Sequence, residues 1–334
     1  MGKDYKPPFM MTEEITNLVI EIGELTGAIG VMQELSHNPM LRRENRIKTI
    51  HSSLAIEQNT LSLEQVSDVI DGKRVLAPPQ DIKEVKNAYE IYEQLHLLNP
   101  YNVEDLLKAH KVMMAELINE AGRFRSKGVG VYAETHLIHA GTPPQYVPEL
   151  MAQLFKWLKN SEMHSLVKAC IFHYEFEFIH PFADGNGRMG RLWHTLILSE
   201  WKEFFAWLPV ETLIKERQEQ YYQALNNSNN SGSSTKFVLY MLKVIKETLE
   251  ELPEQAKVAD KVADKMTNKM TDKERERWAK IKSYIDIHGA IKNAEVQKIL
   301  RVSESTAKRI LKRCADLSLL RAEGKNKERT YNIL

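Results

Sequence analysis

The chain has 334 residues, 43% of them apolar and 27% charged, with a formal net charge of +1. That length can bury a full core and add a second small domain, and the apolar runs fall far short of the ~20 residues that a membrane-spanning helix needs. The start, Met1 to Lys6, lacks a secretory pattern. The two cysteines, Cys170 and Cys314, sit in apolar helical patterns and read as small buried hydrophobes rather than disulfide partners, metal ligands or nucleophiles. These features predict a cytoplasmic protein with no membrane partner.

Charge is unevenly spread: from Lys273 onward there are 16 Lys/Arg against 8 Asp/Glu, and before it 30 against 37. A basic tail on an acidic body predicts separate jobs, with a polyanion as a candidate partner of the tail.

In chain order, Ile15, Leu18, Val19, Ile22 and Leu25 mark a helix opening near Thr12; a second covers Leu41 to Ile56, and a third follows Ile82, Val85, Ala88, Tyr89, Tyr92 and Leu95. Gly128 to Pro144 breaks the pattern and predicts a β-hairpin between glycine and proline punctuation. Helices resume over Val147–Leu158, Leu166–Phe176 and Arg188–Trp201. Asn226 to Thr235, "NNSNNSGSST", predicts a surface loop, having nothing apolar to bury. After Pro253 comes a four-residue repeat opening at Lys257, Lys261, Lys265 and Lys269, which predicts a helical spacer.

The last 60 or so residues form their own unit. Trp278, Ile281, Ile285 and Ile287 predict one helix face, and Ala294, Val296, Ile299 and Leu300 a second. Ser303 caps a third helix whose Ala307, Ile310, Leu311, Cys314 and Leu317 face inward. Leu319 and Leu320, a turn at Gly324 to Lys327, and Tyr331 to Ile333 predict a two-stranded wing. The third helix carries Lys308, Arg309, Lys312 and Arg313 away from its apolar stripe, as a DNA-contacting recognition helix does, with a protein contact or a solvated basic face as the alternatives; Lys325, Lys327 and Arg329 add charge to the wing.

The stretch "FIHPFADGNGRMGR", Phe178 to Arg191, is too varied to pack a core. Gly185 and Gly187 let the chain turn with exposed amides, and the helix that follows points its unpaired N–H groups and positive dipole end at the same loop. That makes an anion site. Arg188 and Arg191, three residues apart, add guanidiniums for several phosphates. Asp184 beside a phosphate nest is repulsive unless Mg²⁺ bridges the two, and Asn186 can donate its amide to a phosphate oxygen. His180, able to accept a proton near neutral pH, is the natural general base.

His180 to Arg191 matches, at every defined position, the HPFx(D/E)GNGRxxR motif of the Fic family, and the chain resembles that family from about Leu106 to Leu249. The resemblance implies transfer of AMP from ATP to a Ser, Thr or Tyr hydroxyl of a target protein. His180 would be the base, Asp184 the Mg²⁺ ligand, and Gly185, Asn186 and Gly187 the anion hole. Arg191 would hold the γ-phosphate with Arg188 helping. The target would add a strand to the hairpin near Val129 to His139, and Tyr222 and Asn229 would flank the adenine.

Ser53-Leu-Ala-Ile-Glu57-Gln58 is similar to the inhibitory signature of some members, a Ser or Thr, three residues, Glu, then Gly or Asn. Ser53 and Glu57, four apart, share a helix face. By resemblance Glu57 would occupy Arg191 and leave ATP in an unproductive pose, while Gln58 departs from the pattern. In some members the same glutamate supports removal of AMP from a modified target.

The expected architecture is therefore mainly α: an N-terminal helical region carrying the inhibitory helix (1–105), a catalytic core (106–250) with its flap at 128–144, a helical linker (251–272) and a winged-helix domain (273–334). Family habit implies a homodimer. A DNA-binding regulator whose core senses nucleotide is the alternative from another class.

Overall fold

In the computed structural model, residues 5–31, 39–128, 130–133, 136–140, 142–267, 270–317, 319–323 and 329–333 are described. The protein is mainly helical, and no described helix is long and apolar enough to cross a membrane. The chain divides into two compact units, Met1–Gly27 with Asn45–Glu250, and Ala28–Glu44 with Glu251–Leu334.

Helices α1 (Glu13–Val31), α2 (Pro39–Ile56), α3 (Leu63–Ile70), α4 (Pro79–Glu93) and α5 (Val103–Met113) come first, then a hairpin of β1 (Gly130–Ala133) and β2 (His136–Ala140). Next are α6 (Val147–Asn160), α7 (Ser165–Ile179), α8 (Asn186–Trp201), α9 (Val210–Glu216), α10 (Gln218–Ser231) and α11 (Thr235–Thr267). The centre of the first unit is the pair α7 and α8, which pack against each other and hold residues 180–185 between them. Helix α7 is buried nearly all round, from Leu166 to Phe176, as a central helix must be. The others present one apolar stripe each; Ile15, Leu18 and Ile22 of α1 and Val85, Ala88, Ile91 and Tyr92 of α4 are buried as their spacing predicts.

The hairpin forms as predicted, antiparallel, with Gly130 opposite Ala140 and an irregularity between Val131 and Tyr132. The segment Asn226–Thr235 does not form the predicted loop. Helix α10 runs through it to Ser231, Gly232 turns the chain at φ 60°, and Ser228 and Ser234 are wholly buried. Small polar side chains are admitted because each is bonded: Ser228 Oγ accepts from the Phe237 N–H at 2.9 Å, and Ser234 donates to the Pro8 carbonyl at 3.0 Å.

The repeat from Lys257 continues α11, which runs through Pro253 to Thr267; its side chains up to Lys269 lie outside the described residues, and Met270, expected in a solvated spacer, is buried in the core of the second unit. The second unit contains α12 (Asp272–His288), β3 (Ile291–Lys292), α13 (Asn293–Leu300), α14 (Glu304–Asp316), β4 (Leu320–Glu323) and β5 (Thr330–Ile333). Trp278, Ile281, Ile285, Val296, Ala307, Leu311 and Cys314 form its core; Ala294, expected inside, is exposed. The Ile287 side chain and the wing turn with Lys325 and Lys327 lie outside the described residues. Strand β3, which the pattern did not announce, pairs with β5 to make a three-stranded sheet ordered β3-β5-β4.

Candidate active site

The site is built where α7 stops and α8 starts. Pro181 disfavours right-handed helical backbone at the residue before it, and His180 ends α7 in the left-handed region at φ 53°, its N–H bonded to the Phe176 carbonyl at 2.9 Å. The ring is about one-fifth exposed. Its Nδ1 lies 3.4 Å from the Glu177 carbonyl and 3.9 Å from Glu177 Oε2.

Gly185 starts α8 at φ 82°, and a Cβ there would sit 2.7 Å from Met114 Sδ, so both backbone and space require glycine. The first turn of α8, with Asn186, Gly187 and Arg188, offers amides without intrahelical acceptors. Asn186 departs from expectation. Its side chain is 2% exposed and wholly used inside the loop, Oδ1 accepting from the Phe182 N–H at 2.8 Å and Nδ2 donating to the Phe182 carbonyl at 2.9 Å. The amide therefore shapes the loop, and only the backbone N–H of Asn186 is left for an anion.

Asp184 holds a carboxylate that is 57% exposed at the mouth of the site; it accepts from the Gly185 N–H and from Arg188 Nη2 at 3.2 Å. Arg188 is buried between two acids, Asp184 and Glu84, the latter at 3.4 Å, so it is committed to charge balance before any phosphate arrives.

Arg191 is 2% exposed and grips the end of α2. Nε donates to Ser53 Oγ at 3.0 Å, Nη2 to the Ser53 carbonyl at 3.0 Å and to Glu57 Oε1 at 2.8 Å. Gly187 makes room for this pair: a Cβ there would lie 2.2 Å from Glu57 Oε1. The end of α2 is further held by Gln218 Nε2, which donates to the Ile56 carbonyl at 3.1 Å. Tyr222 and Asn229, seven residues apart, share a face of α10. Burial first, then the charge of Glu57, push the Tyr222 phenol up, while Asn229 Oδ1 accepts from Tyr174 at 3.0 Å.

Several residues at the site escaped the sequence reading. His110 stacks flat on Phe182 with 3.6 Å between ring centroids. The Gly122 N–H donates to its Nδ1 at 2.9 Å, so Nε2 carries the proton and donates to the Asp184 carbonyl at 3.0 Å. Burial pushes its pKa down to about 4, which keeps the ring neutral in this role. Glu177 and Arg125 also converge here. His110 and Arg125 act through backbone contacts, for which one sequence carries no local signal, while the Glu177 carboxylate faces the rings of His173 and His180.

In the second unit Lys308, Arg309, Lys312 and Arg313 are all exposed on α14, with Arg313 Nε 3.5 Å from Glu274 Oε1. Ser303 caps that helix, accepting from the Thr306 N–H at 3.4 Å.

A left-handed histidine, an anion-ready helix start and an arginine held by an upstream glutamate make up a site of the Fic type. The Fic/DOC family model matches residues 100–198. A Fic family protein of known structure from Desulfovibrio desulfuricans G20 is 43% identical, with a TM-score of 0.73 over 99% of this chain and 98% of that one. This chain belongs to the Fic family. A fragment of Fic-1 from C. elegans is similar at 25% identity and a TM-score of 0.59, over 74% of this chain and 73% of that one. Protein adenylyltransferase fic-1 of Caenorhabditis briggsae is 31% identical over 225 residues, 63% of this chain and 42% of that protein. The protein adenylyltransferase Fic of Nematostella vectensis is 27% identical, over 64% of this chain and 50% of that one. The chain thus spans about half or less of the length of these curated relatives.

Proposed function

We propose that the chain is an autoinhibited protein adenylyltransferase that moves AMP from ATP to a Ser, Thr or Tyr hydroxyl of a target protein. The hydroxyl proton passes to His180 as its oxygen attacks the α-phosphorus; the bond from that phosphorus to the bridging oxygen breaks, and pyrophosphate leaves. The first-turn amides of α8 meet the phosphates, and Arg191 receives the γ-phosphate once Glu57 lets go of it. Tyr222 and Asn229 line the adenine side.

The donor set fits Mg²⁺. That ion is usually held by one or two carboxylates with phosphates and water; Asp184 is one exposed carboxylate beside the anion site, and no cluster of three ligating side chains occurs among the described residues. Asp184 would hold the ion, which would neutralise phosphate charge when bound. A target strand would add to the β1–β2 hairpin. Two free, buried cysteines are consistent with a reducing, cytoplasmic setting. Homodimerisation is a proposal from the family resemblance, read by light scattering on the purified chain.

The observation that carries the proposal is Arg191. A fully buried guanidinium one helical turn into an anion site is held by Glu57 and Ser53 rather than left for a ligand. Incubation with α-³²P-ATP and Mg²⁺ tests it, comparing the wild type, Glu57→Gly, and Glu57→Gly with His180→Ala. Strong self-labelling in the Glu57→Gly protein, a small residue of it in the wild type and none in the double variant is the expected result; label from γ-³²P-ATP but not from α-³²P-ATP would mean phosphorylation instead. Removal of AMP from a modified target, with Glu57 assisting, is a secondary activity open to the same assay run on labelled protein.

A second reading has its own support in the four exposed basic side chains of α14. They suit a winged-helix module contacting DNA phosphates, whether the core works as an enzyme or as a sensor of nucleotide.

A further inference from the structure

We propose that Arg125 is a positioning residue that ties both roots of the β1–β2 hairpin to the backbone of His180. A target strand seated on the hairpin and the base that deprotonates its hydroxyl would then share one register. The proposal rests on the adenylyl-transfer reading for its consequence, though not for its geometry.

Arg125 lies between α5 and β1 and is 3% exposed. Among the described residues its guanidinium pairs with no carboxylate; it is spent on backbone carbonyls. Nε donates to His180 at 2.6 Å, Nη1 to Lys127 at 2.9 Å, and Nη2 to Thr142 and, at 3.3 Å, to Ile179. Its own backbone N–H donates to the Pro181 carbonyl at 3.0 Å. Lys127 and Thr142 lie just outside the two strands, one at each root. A single planar fork therefore joins both ends of the hairpin to the peptide units on either side of the histidine ring.

Two physical points make this more than packing. Burying a cation without a counter-charge is costly, and filling the same space with Leu or Met would avoid that cost. His180 also stands at φ 53°, a conformation that a non-glycine residue keeps only when its surroundings over-determine it. The Nε bond to its carbonyl supplies part of that constraint. Lysine, a point charge on a flexible stem, cannot span three directions at once.

The experiment uses the full chain with Glu57→Gly as parent and adds Arg125→Lys or Arg125→Ala. Self-labelling by α-³²P-ATP is expected to fall on the order of 100-fold, the loss that about 1 Å of misplacement brings, with KM for ATP within about threefold of the parent. Chymotrypsin cleavage within residues 130–140, mapped by mass spectrometry, should quicken in both variants, and methylguanidine should restore part of the labelling in Arg125→Ala. Should Arg125→Ala not fold, Arg125→Lys carries the same three readouts except the rescue. Parent-level labelling by Arg125→Lys, or unchanged hairpin cleavage, overturns the proposal. If the Glu57→Gly parent itself transfers no AMP, the functional reading fails while the cleavage comparison still decides whether the clamp exists.

Discussion

Glu177 lies one helical turn before His180, with Oε1 4.0 Å from His173 Nε2 and Oε2 3.9 Å from His180 Nδ1. Burial pushes its carboxyl up to about 8; Arg191 pulls the other way and Glu57 adds to the rise. An unfolded glutamate releases its proton near pH 4.3. Between that pH and about 8 the folded chain keeps a proton that the unfolded chain has lost, so stability falls as pH rises through this window and levels off above it. Glu177→Gln should match the wild type at pH 4 and melt at a higher temperature at pH 8. Parallel melting curves from pH 4 to 8 would dismiss this account. At this scale the sequence was most legible where chemistry is varied: His180, Asp184 and Arg191 stand in one site. It was least legible where a side chain serves the backbone, as Asn186 does for Phe182 and His110 for Asp184.

At the scale of elements, the end of α2 decides how firmly Glu57 is held. Gln58 adopts φ 69°, with its N–H bonded to the Ala55 carbonyl at 3.2 Å and the next N–H, of Asn59, to Leu54 at 3.1 Å. These two bonds form a Schellman end, in which glycine is the usual left-handed residue. A side chain there costs about 1 kcal/mol. The same helix buries Thr49 and Asn45, whose side-chain oxygen and amide atoms find no hydrogen-bond partner among the described residues. Gln58→Gly should strengthen the lock and lower residual self-labelling of the wild-type chain roughly fivefold, the equivalent of about 1 kcal/mol; equal or higher labelling would sink the idea. Helices were legible here because apolar residues recur every three or four positions. The stretch from Asn226 was not, because its composition resembles a loop while its neighbours, Tyr221, Ala224 and Phe237, bury it as helix.

Across the whole molecule, charge is unevenly divided. The acidic body carries the site, and the basic tail carries α14. Substituting Lys308, Arg309, Lys312 and Arg313 with Glu should weaken binding to duplex DNA and flatten its dependence on salt by roughly one unit of log–log slope per lost phosphate contact. Self-labelling by the Glu57→Gly parent should stay unchanged. Fluorescence anisotropy across a sodium chloride series reads the first, and identical salt slopes before and after substitution would remove the DNA assignment. The tail's helices and its last two strands were legible from capping and periodicity. The grouping of residues 28–44 with the C-terminal unit was not, since a periodic pattern names the face that is buried and not the partner that covers it.

The lock also has a place in time. Glu57 precedes its partner Arg191 by 134 residues, and a ribosome adding about 5–20 residues each second needs roughly 7 to 27 s to cover that distance. The glutamate has left the ribosome well before the guanidinium that it will occupy has been made. Because the two belong to one chain, their pairing does not depend on how much protein the cell holds. A newly made molecule is therefore expected to emerge closed, and opening it becomes an event of its later life.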